Sequence, residues 1–308
     1  MTVRLFFLAA MIFSLCGTCG CQVLNSICWR PKQIKPPVVL GQNATLEDVL
    51  QAVNNNNAKK QTFIADARIS VEGAPGSLNS NIAYEYPKKF RAIGETILTK
   101  EFDIGSNNEL FWVWFKQDPR KAVYFGRHDQ YESNPVRDSF QIDPGWLIES
   151  LGMNVFQSGP IEEHRLVART AEGHWKIETK RQTPLGIYTK YTTVDDKTAC
   201  VTMQELYNPS GQRVAFAVSP NHSVDATTGI TYPQTVDMQL AMQGQQLDMR
   251  LALGRVQFNQ NGPFRADAFT MPNFSDYSMV DICGQSASPF VQQVSGSIPE
   301  ATAESNRY

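Results

Sequence analysis

Residues 236–253 read VDMQLAMQGQQLDMRLAL, and they give the clearest secondary-structure signal in the chain. Large apolar side chains recur at every second position on both sides of a short polar break: Val236, Met238, Leu240, Met242, Leu247, Met249, Leu251 and Leu253. Successive residues of a strand point to opposite faces, so this period of two predicts two strands with one apolar face each. Gly244 and Gln245 lie at the break, and the stretch is therefore expected to form a β-hairpin that buries one face.

Strand patterns of the same kind occupy most of the chain before this hairpin. They cover residues 63–71, 82–86, 90–96, 100–104, 110–115, 122–127, 165–169, 174–180, 187–194, 199–207 and 213–218. The intervening loops are short and hold Gly, Asn, Asp or Pro, which favours consecutive antiparallel hairpins, because parallel crossovers need a dozen or more residues. The pattern predicts an antiparallel sheet of about ten or more strands, and open sheets of that size tend to curl.

Two short helices are expected beside the sheet. Thr45 is a candidate N-cap, and the apolar residues that follow it repeat at helical spacing up to Val53, with residues 54–57 expected to end the helix. Asp143 and Pro144 are expected to open a second helix over residues 144–153, with Trp146, Leu147 and Leu151 on its buried side. The predicted fold is mostly β (α+β): a large curved antiparallel sheet, an open half-barrel, whose concave face is covered by a few helices.

The first 21 residues predict export. Arg4 precedes an apolar run over residues 5–15, and small residues lead to Cys21, as in a secretory signal peptide. The segment Thr18-Cys19-Gly20-Cys21 resembles a bacterial lipobox, which implies cleavage after residue 20 and lipidation of Cys21. The alternative is an ordinary cleaved signal with a cysteine-rich end. We therefore expect a signal peptide at 1–20, a lipidated Cys21 with a flexible tether at 21–43, a folded domain at 44–284 and a disordered tail at 285–308.

Composition excludes one class of partner and leaves assembly open. The chain is 42% hydrophobic and 19% charged, with a formal net charge of −2. Those proportions are typical of a globular protein with a real core. The absence of a basic stripe gives nucleic-acid binding no electrostatic support, and membrane attachment would come from the lipid on Cys21. The sequence does not determine the oligomeric state.

Three cysteines follow the signal region: Cys28, Cys200 and Cys283. An exported protein meets an oxidising compartment, which permits a disulfide. Cys200–Cys283 is the more plausible pair, since Cys28 falls in the tether. Three free thiols remain the alternative, because sequence alone does not fix connectivity.

No recognised catalytic or metal-binding motif is present in the sequence. The four histidines, His128, His164, His174 and His222, lack metal-ligand spacing, and there is no nucleophile elbow or phosphate-binding loop. Asp195 and Asp196 precede Lys197 in what the pattern predicts to be a hairpin turn. We therefore expect no enzyme activity, no metal and no cofactor.

Several segments together resemble the LolA/LolB-like half-barrel family of lipoprotein carriers and receptors. They are the strand FIADARI at 63–69 after a capped helix, the step YEYPKKFR at 84–91, the aromatic strand LFWVW at 110–114, and Tyr232-Pro233-Gln234 before the late hairpin. The resemblance implies a concave face that binds acyl chains of lipoproteins or lipids. The residues expected to line it are the eight apolar residues of the 236–253 hairpin together with Trp112 and Trp114.

The resemblance also implies a place in the cell. A lipidated member resembles the outer-membrane receptor more than the soluble carrier, although this chain is longer than either and no exposed apolar loop tip is recognised in it. Gln22 follows the lipidated cysteine, and by resemblance to enterobacterial sorting the absence of Asp there implies the outer membrane, facing the periplasm. The alternative function is a non-catalytic envelope scaffold or interaction module, in which the same apolar residues form a filled core.

Overall fold

The structure is a computed structural model that describes residues 34–72, 76–138, 140, 144–157, 159, 162–242, 245–259 and 263–284. The predicted signal peptide, Cys21, Cys28, the Asp143 cap, Gly244 and the predicted tail therefore lie outside the described residues. Within the described part of the chain, no helix is both long enough and apolar enough to cross a membrane.

The described elements are mostly strands. The helices are α1 (Leu46–Ala58), α2 (His128–Tyr131) and α3 (Pro144–Ser150), with a 3-10 turn at Pro135–Asp138. The strands of the first half are β1 (Thr62–Val71), β2 (Leu78–Glu85), β3 (Lys89–Glu95), β4 (Lys100–Ser106), β5 (Leu110–Phe115) and β6 (Ala122–Arg127). Those of the second half are β7 (Glu162–Arg169), β8 (Trp175–Thr183), β9 (Gly186–Val194), β10 (Val201–Tyr207), β11 (Arg213–Val218), β12 (His222–Val224), β13 (Thr231–Pro233), β14 (Thr235–Met242), β15 (Gln245–Phe258) and β16 (Ser278–Asp281).

Fourteen of these strands form one open, curved sheet in the order β16-β6-β5-β4-β3-β2-β1-β15-β14-β11-β10-β9-β8-β7. The sheet consists of two meanders, one of β1 to β6 and one of β7 to β11 with β14 and β15, which meet where β1 pairs with β15. The predicted large, mostly β half-barrel is confirmed. One pair departs from the antiparallel rule, since β16 lies parallel to β6. The strands β12 and β13 form a separate two-stranded sheet.

The helix α1 begins where the sequence predicts. The Thr45 hydroxyl accepts from the Asp48 backbone, and the Asp48 carboxylate accepts from the Thr45 backbone, which together form a capping box. The expected end at residues 54–57 is wrong, because α1 continues to Ala58. The amides of Asn54 and Asn56 donate to the Phe156 and Thr231 carbonyls, so tertiary hydrogen bonds stabilise a turn that asparagine propensity alone disfavours.

Both helices cover the concave face of the sheet, as predicted. On α1, Val49, Leu50 and Val53 pack with Ile177 of β8 and Val194 of β9. The residues of α3 that pack on the main apolar cluster of the sheet are Trp146, Leu147 and Ile148, and Leu151 follows them. The two helices thus cover separate parts of the face, and the space between α3 and the central strands is left for the cavity described below.

The convex face is also apolar near one edge of the sheet, where a later segment of the same chain packs on it. Trp112, Trp114 and Val123 form a cluster with Met271, Phe274 and Tyr277 from the segment that leads to β16. The ring centroids of Trp114 and Phe274 lie 5.4 Å apart. Sequence analysis places Trp112 and Trp114 on the concave face, and this is wrong. Because β5 is apolar on both faces, alternation alone does not tell which set lies on the concave face. In the structure, Phe111 and Val113 belong to the main apolar cluster there, and Phe115 packs against it.

Candidate functional site

An apolar cavity of about 520 Å³ lies between the concave face of the sheet and α3. The strands supply most of its wall, and Leu147, Ser150 and Leu151 supply the side formed by α3. The larger apolar residues of the strand wall are Ile69, Val71, Leu78, Ile82, Phe90, Phe102, Ile104, Phe115, Met238, Leu247, Met249 and Leu251. A volume of this size falls within the range of about 300–1,000 Å³ that small-molecule sites occupy.

The structure brings only part of the predicted set to this cavity. Met238, Leu247, Met249 and Leu251 line it. Val236 and Leu240 are fully buried in the same apolar cluster without lining the cavity, and Leu253 packs against that cluster. The side chain of Met242 lies outside the described residues. Sequence reasoning missed the contributions of β2 to β5, which alternation marks as apolar faces but does not place opposite the late hairpin.

The polar groups at the cavity are engaged by their own neighbours. The Ser150 hydroxyl donates to the Leu147 carbonyl at 2.8 Å and lies 3.2 Å from the Met238 sulfur. Glu101 accepts from the Thr99 hydroxyl at 2.5 Å and from Lys116 Nζ at 3.1 Å. The hydrogen bond from Thr99 lowers the pKa of Glu101, so this carboxylate is ionised at neutral pH. Polar groups satisfied in this way leave the cavity interior suited to a hydrocarbon ligand.

The turn between β3 and β4 carries an exposed apolar pair. Ile97 is 98% exposed and Leu98 is 89% exposed. The Thr96 hydroxyl fixes the turn by accepting from the backbone N–H groups of Leu98 and Thr99, and Thr96 also lines the cavity. An exposed apolar loop tip is therefore present, contrary to the sequence analysis, and it lies next to the cavity. The signal that could have found it is the placement of two large apolar residues between two predicted strands.

A second cavity, of about 270 Å³, is lined by both polar and apolar residues and lies between α1, β10 and the β12–β13 sheet. Lys60, which is 3% exposed, donates from Nζ to Asn57 Oδ1 at 2.9 Å and to the Gly152 carbonyl at 2.6 Å. Burial lowers the pKa of Lys60 to about 7. Burial also lowers the pKa of His222 to about 4 and raises the pKa of Cys200 to about 11. All three groups are thus held toward their neutral forms.

The predicted Cys200–Cys283 disulfide does not form, since both thiols are free. Cys200 lies beside β10, and Cys283 follows β16 at the edge of the sheet, with nine strands between β16 and β10. Two cysteines on such distant strands cannot meet the short Cα–Cα distance of about 4.4–6.8 Å that a disulfide requires. Spacing in the sequence does not reveal this separation.

The first part of the chain that the structure describes also contacts the domain. The backbone N–H groups of Val39 and Leu40 donate to the Lys197 carbonyl at 2.8 and 3.0 Å. The Leu40 side chain is buried in the cluster that contains α1. The last residues of the predicted tether are therefore held against the turn between β9 and β10.

Comparison with known proteins gives matches to solved structures alone. No protein-family model and no curated protein matches this chain. A LolA superfamily protein from Nitrosomonas europaea is 11% identical, with a TM-score of 0.46 over 74% of this chain and 98% of that one. A domain described as an outer membrane lipoprotein-sorting protein domain, from Vibrio parahaemolyticus, is 13% identical, with a TM-score of 0.47 over 73% and 97%. A DUF1329 family protein from Desulfovibrio piger is 12% identical, with a TM-score of 0.46 over 73% and 98%.

Proposed function

We propose that this protein binds the acyl chains of lipoproteins or lipids in the apolar cavity and acts in the cell envelope without catalysing a reaction. The observation that carries the proposal is the unfilled cavity of about 520 Å³ under α3, lined by Met238, Leu247, Met249 and Leu251 and by the aromatic and aliphatic residues of β2 to β5. Methionine side chains are flexible and polarisable, so a wall that contains two of them adapts to chains of differing length and shape.

The size and chemistry of the cavity fit one hydrocarbon chain. A water-sized group occupies about 30 Å³, so the space holds on the order of 15 methylene groups. Each methylene transferred from water contributes about 0.8 kcal/mol, and about ten of them would offset much of the cost of association. The recognition would be apolar and tolerant of the headgroup, because the Ser150 hydroxyl and the Glu101 carboxylate already bond to neighbouring protein groups.

The alternative, a scaffold or interaction module with a filled core, expects α3 to plug the groove. Trp146 is indeed buried in the apolar cluster, but Leu147 and Leu151 border open space rather than fill it. Apolar side chains that border open space forgo a burial free energy of about 25 cal/mol per Å², so a purely structural core gains nothing from keeping this cavity open. Acyl binding therefore explains the open cavity, and the filled-core alternative does not.

Two features, the predicted lipidation of Cys21 and the exposed apolar pair at the β3–β4 turn, support a location at a membrane. Lipidation of Cys21 and outer-membrane attachment facing the periplasm are proposals from the sequence, and residue 21 lies outside the described part of the chain. The exposed pair Ile97 and Leu98 beside the cavity supports contact with a bilayer, because burying each such side chain in hydrocarbon contributes about 1.5–3 kcal/mol. A lipid-anchored protein whose apolar tip adjoins its cavity is arranged to pass acyl chains between the cavity and a membrane.

The test is uptake of an acyl chain by the purified protein carrying Cys21→Ser, which removes its own lipid. Native mass spectrometry and fluorescence titration would follow a palmitoylated peptide and the same peptide without palmitate. We expect saturable binding of one palmitoylated peptide, no binding of the bare peptide, and displacement of any lipid that copurifies. A chain that stays free of lipid and takes up neither peptide would overturn the proposal and favour the filled-core alternative.

A further inference from the structure

The turn between β9 and β10 contains one carboxylate that builds the turn and one that does not. Asp195 Oδ1 accepts from the Thr198 backbone at 2.7 Å, from the Thr198 hydroxyl at 2.7 Å and from the Lys197 backbone at 3.1 Å. These bonds use one oxygen of Asp195 and leave Oδ2 available. Asp196 forms no hydrogen bond among the described residues, so the turn does not depend on it.

A second turn in the same chain shows what this turn chemistry requires. Between β12 and β13, Asp225 accepts from the Thr228 backbone at 3.1 Å and from its hydroxyl at 2.5 Å. The arrangement repeats that of Asp195 and Thr198, but Ala226 stands where the first turn has Asp196. The carboxylate of Asp196 is therefore surplus to the geometry of the turn.

His174 faces both carboxylates of the first turn. The pairing of Trp175 with Val194 brings residue 174 beside residue 195. His174 Nδ1 is buried and has no hydrogen-bond partner among the described residues, and it lies 3.7 Å from Asp195 Oδ2 and 3.7 Å from Asp196 Oδ1. A buried polar nitrogen without a partner needs an explanation, and 3.7 Å is too long for a hydrogen bond.

These distances suit three ligands of one metal ion. Nitrogen and carboxylate oxygen bind zinc at about 2.0–2.2 Å, so two ligands of the same ion lie up to about 4.2 Å apart. The three ligand atoms lie within 4.8 Å of one another, so the carboxylates would rotate slightly to bind one ion. An imidazole with two carboxylates favours zinc over calcium, which takes oxygen ligands alone.

We propose that His174, Asp195 and Asp196 form a binding site for a divalent zinc ion, with its remaining coordination positions open to solvent. The site does not depend on acyl binding, because it lies where β8 begins and β9 ends and shares no residue with the apolar cavity. The adjoining Lys197 carbonyl holds Val39 and Leu40, so a bound ion would fix the turn onto which the chain entering the domain is hydrogen-bonded.

The experiment is isothermal titration of the untagged full-length protein with zinc chloride, with magnesium chloride as the comparison. We expect one zinc site in the unaltered chain. D225N, in the similar turn between β12 and β13 that His174 does not face, is the matched control and should also keep one zinc site. D196N and H174Q should bind zinc at least about tenfold more weakly, since even losses outside the first coordination shell cost 10–100-fold. C283S should bind as the unaltered chain does, which excludes the half-exposed thiol as the source.

Two outcomes would overturn the site. One is the absence of zinc binding by the unaltered chain; the other is unchanged affinity and stoichiometry in both D196N and H174Q. Circular dichroism establishes that each variant is folded. Should H174Q fail to fold, D196N alone decides, because Asp196 takes no part in the hydrogen bonding of its turn.

Discussion

Met238 and Met249 lie directly opposite each other across the β14–β15 pair, and both side chains line the apolar cavity. Met249 also pairs with Val71 of β1, another lining residue. The late hairpin and the first strand thus form one continuous wall at the point where the two meanders join. A ligand in the cavity would contact residues that are far apart in the sequence, so the cavity exists only when β1 to β5 and the late hairpin are assembled.

Replacing Met249 by Gln should weaken acyl binding with little effect on folding, since Met249 is only partly buried. A polar amide facing a hydrocarbon ligand without a hydrogen-bond partner costs about 1–3 kcal/mol, which corresponds to roughly 5–150-fold in affinity. Titration with the palmitoylated peptide measures the change. Met279→Gln, at an exposed position of β16 outside the cavity, is the matched control. Equal affinity in both variants would mean that the chain binds elsewhere.

The apolar tip gives a separate prediction about membranes. In the Cys21→Ser background, I97S together with L98S should reduce cosedimentation with phosphatidylethanolamine and phosphatidylglycerol vesicles by about tenfold or more, because two apolar side chains no longer enter hydrocarbon. The control is L166S together with V167S, which alters another exposed apolar pair on the edge strand β7. Equal losses in the two double variants would show that general surface apolarity, rather than the tip, is responsible.

Much of the fold follows from local patterns. The alternation over 236–253 predicts β14 and β15, and Thr45 with Asp48 predicts the start of α1, because these signals lie within a few residues of one another. The order of strands along each meander follows from short loops. The pairing of β1 with β15 cannot be predicted in this way, since no local pattern in either strand indicates which distant strand it pairs with.

The site was less predictable for the same reason. Trp112 and Phe111 are both large and apolar, and only the position of the 271–277 segment decides which of them faces away from the cavity. His174 and Asp196 are separated by a full hairpin, so a search for metal ligands by sequence spacing passes over them. Local sequence patterns do not predict such contacts, because they depend on tertiary packing between segments that are distant in the chain.

A buried ion pair on the convex face should matter far more than an exposed pair of the same geometry. Asp103 is 0% exposed and accepts from Arg91 Nη2 at 2.9 Å, from Lys100 Nζ at 3.1 Å and from Trp112 Nε1 at 3.0 Å. Asp103→Asn would leave the largely buried Arg91 without its counter-charge and should lower the free energy of unfolding by about 3–5 kcal/mol.

The matched control is Asp237→Asn. Asp237 accepts two hydrogen bonds from Arg250, at 2.6 and 2.9 Å, but this pair is exposed. Exposed pairs contribute about 0–1 kcal/mol, so this variant should unfold close to the unaltered protein. Urea unfolding of both variants measures the difference. A loss at Asp103 no greater than that at Asp237 would contradict the structural role assigned to the buried network.

Lys60 should make the stability of the protein depend on pH above neutrality. Burial lowers the pKa of Lys60 to about 7 in the folded chain, whereas an unfolded lysine titrates near 10.4. Between these values the unfolded state holds a proton that the folded state lacks, so the free energy of unfolding rises with pH from about 7 to about 10. Below pH 7 both states are protonated, and the full cost of burying the charge is present.

Lys60→Met should remove this rise, because its side chain does not titrate. Urea unfolding at pH 7 and pH 10 should show a difference between the two pH values that is smaller in K60M than in the unaltered chain by on the order of 3 kcal/mol. Cys200 and His222 interact electrostatically with Lys60. Both remain in the two proteins, so their titration contributes to both measurements. The exposed neighbour Lys59, changed to Met, should leave the pH dependence intact. If K60M keeps the same rise as K59M, Lys60 is charged in the folded protein, and the second cavity holds a counter-charge for it.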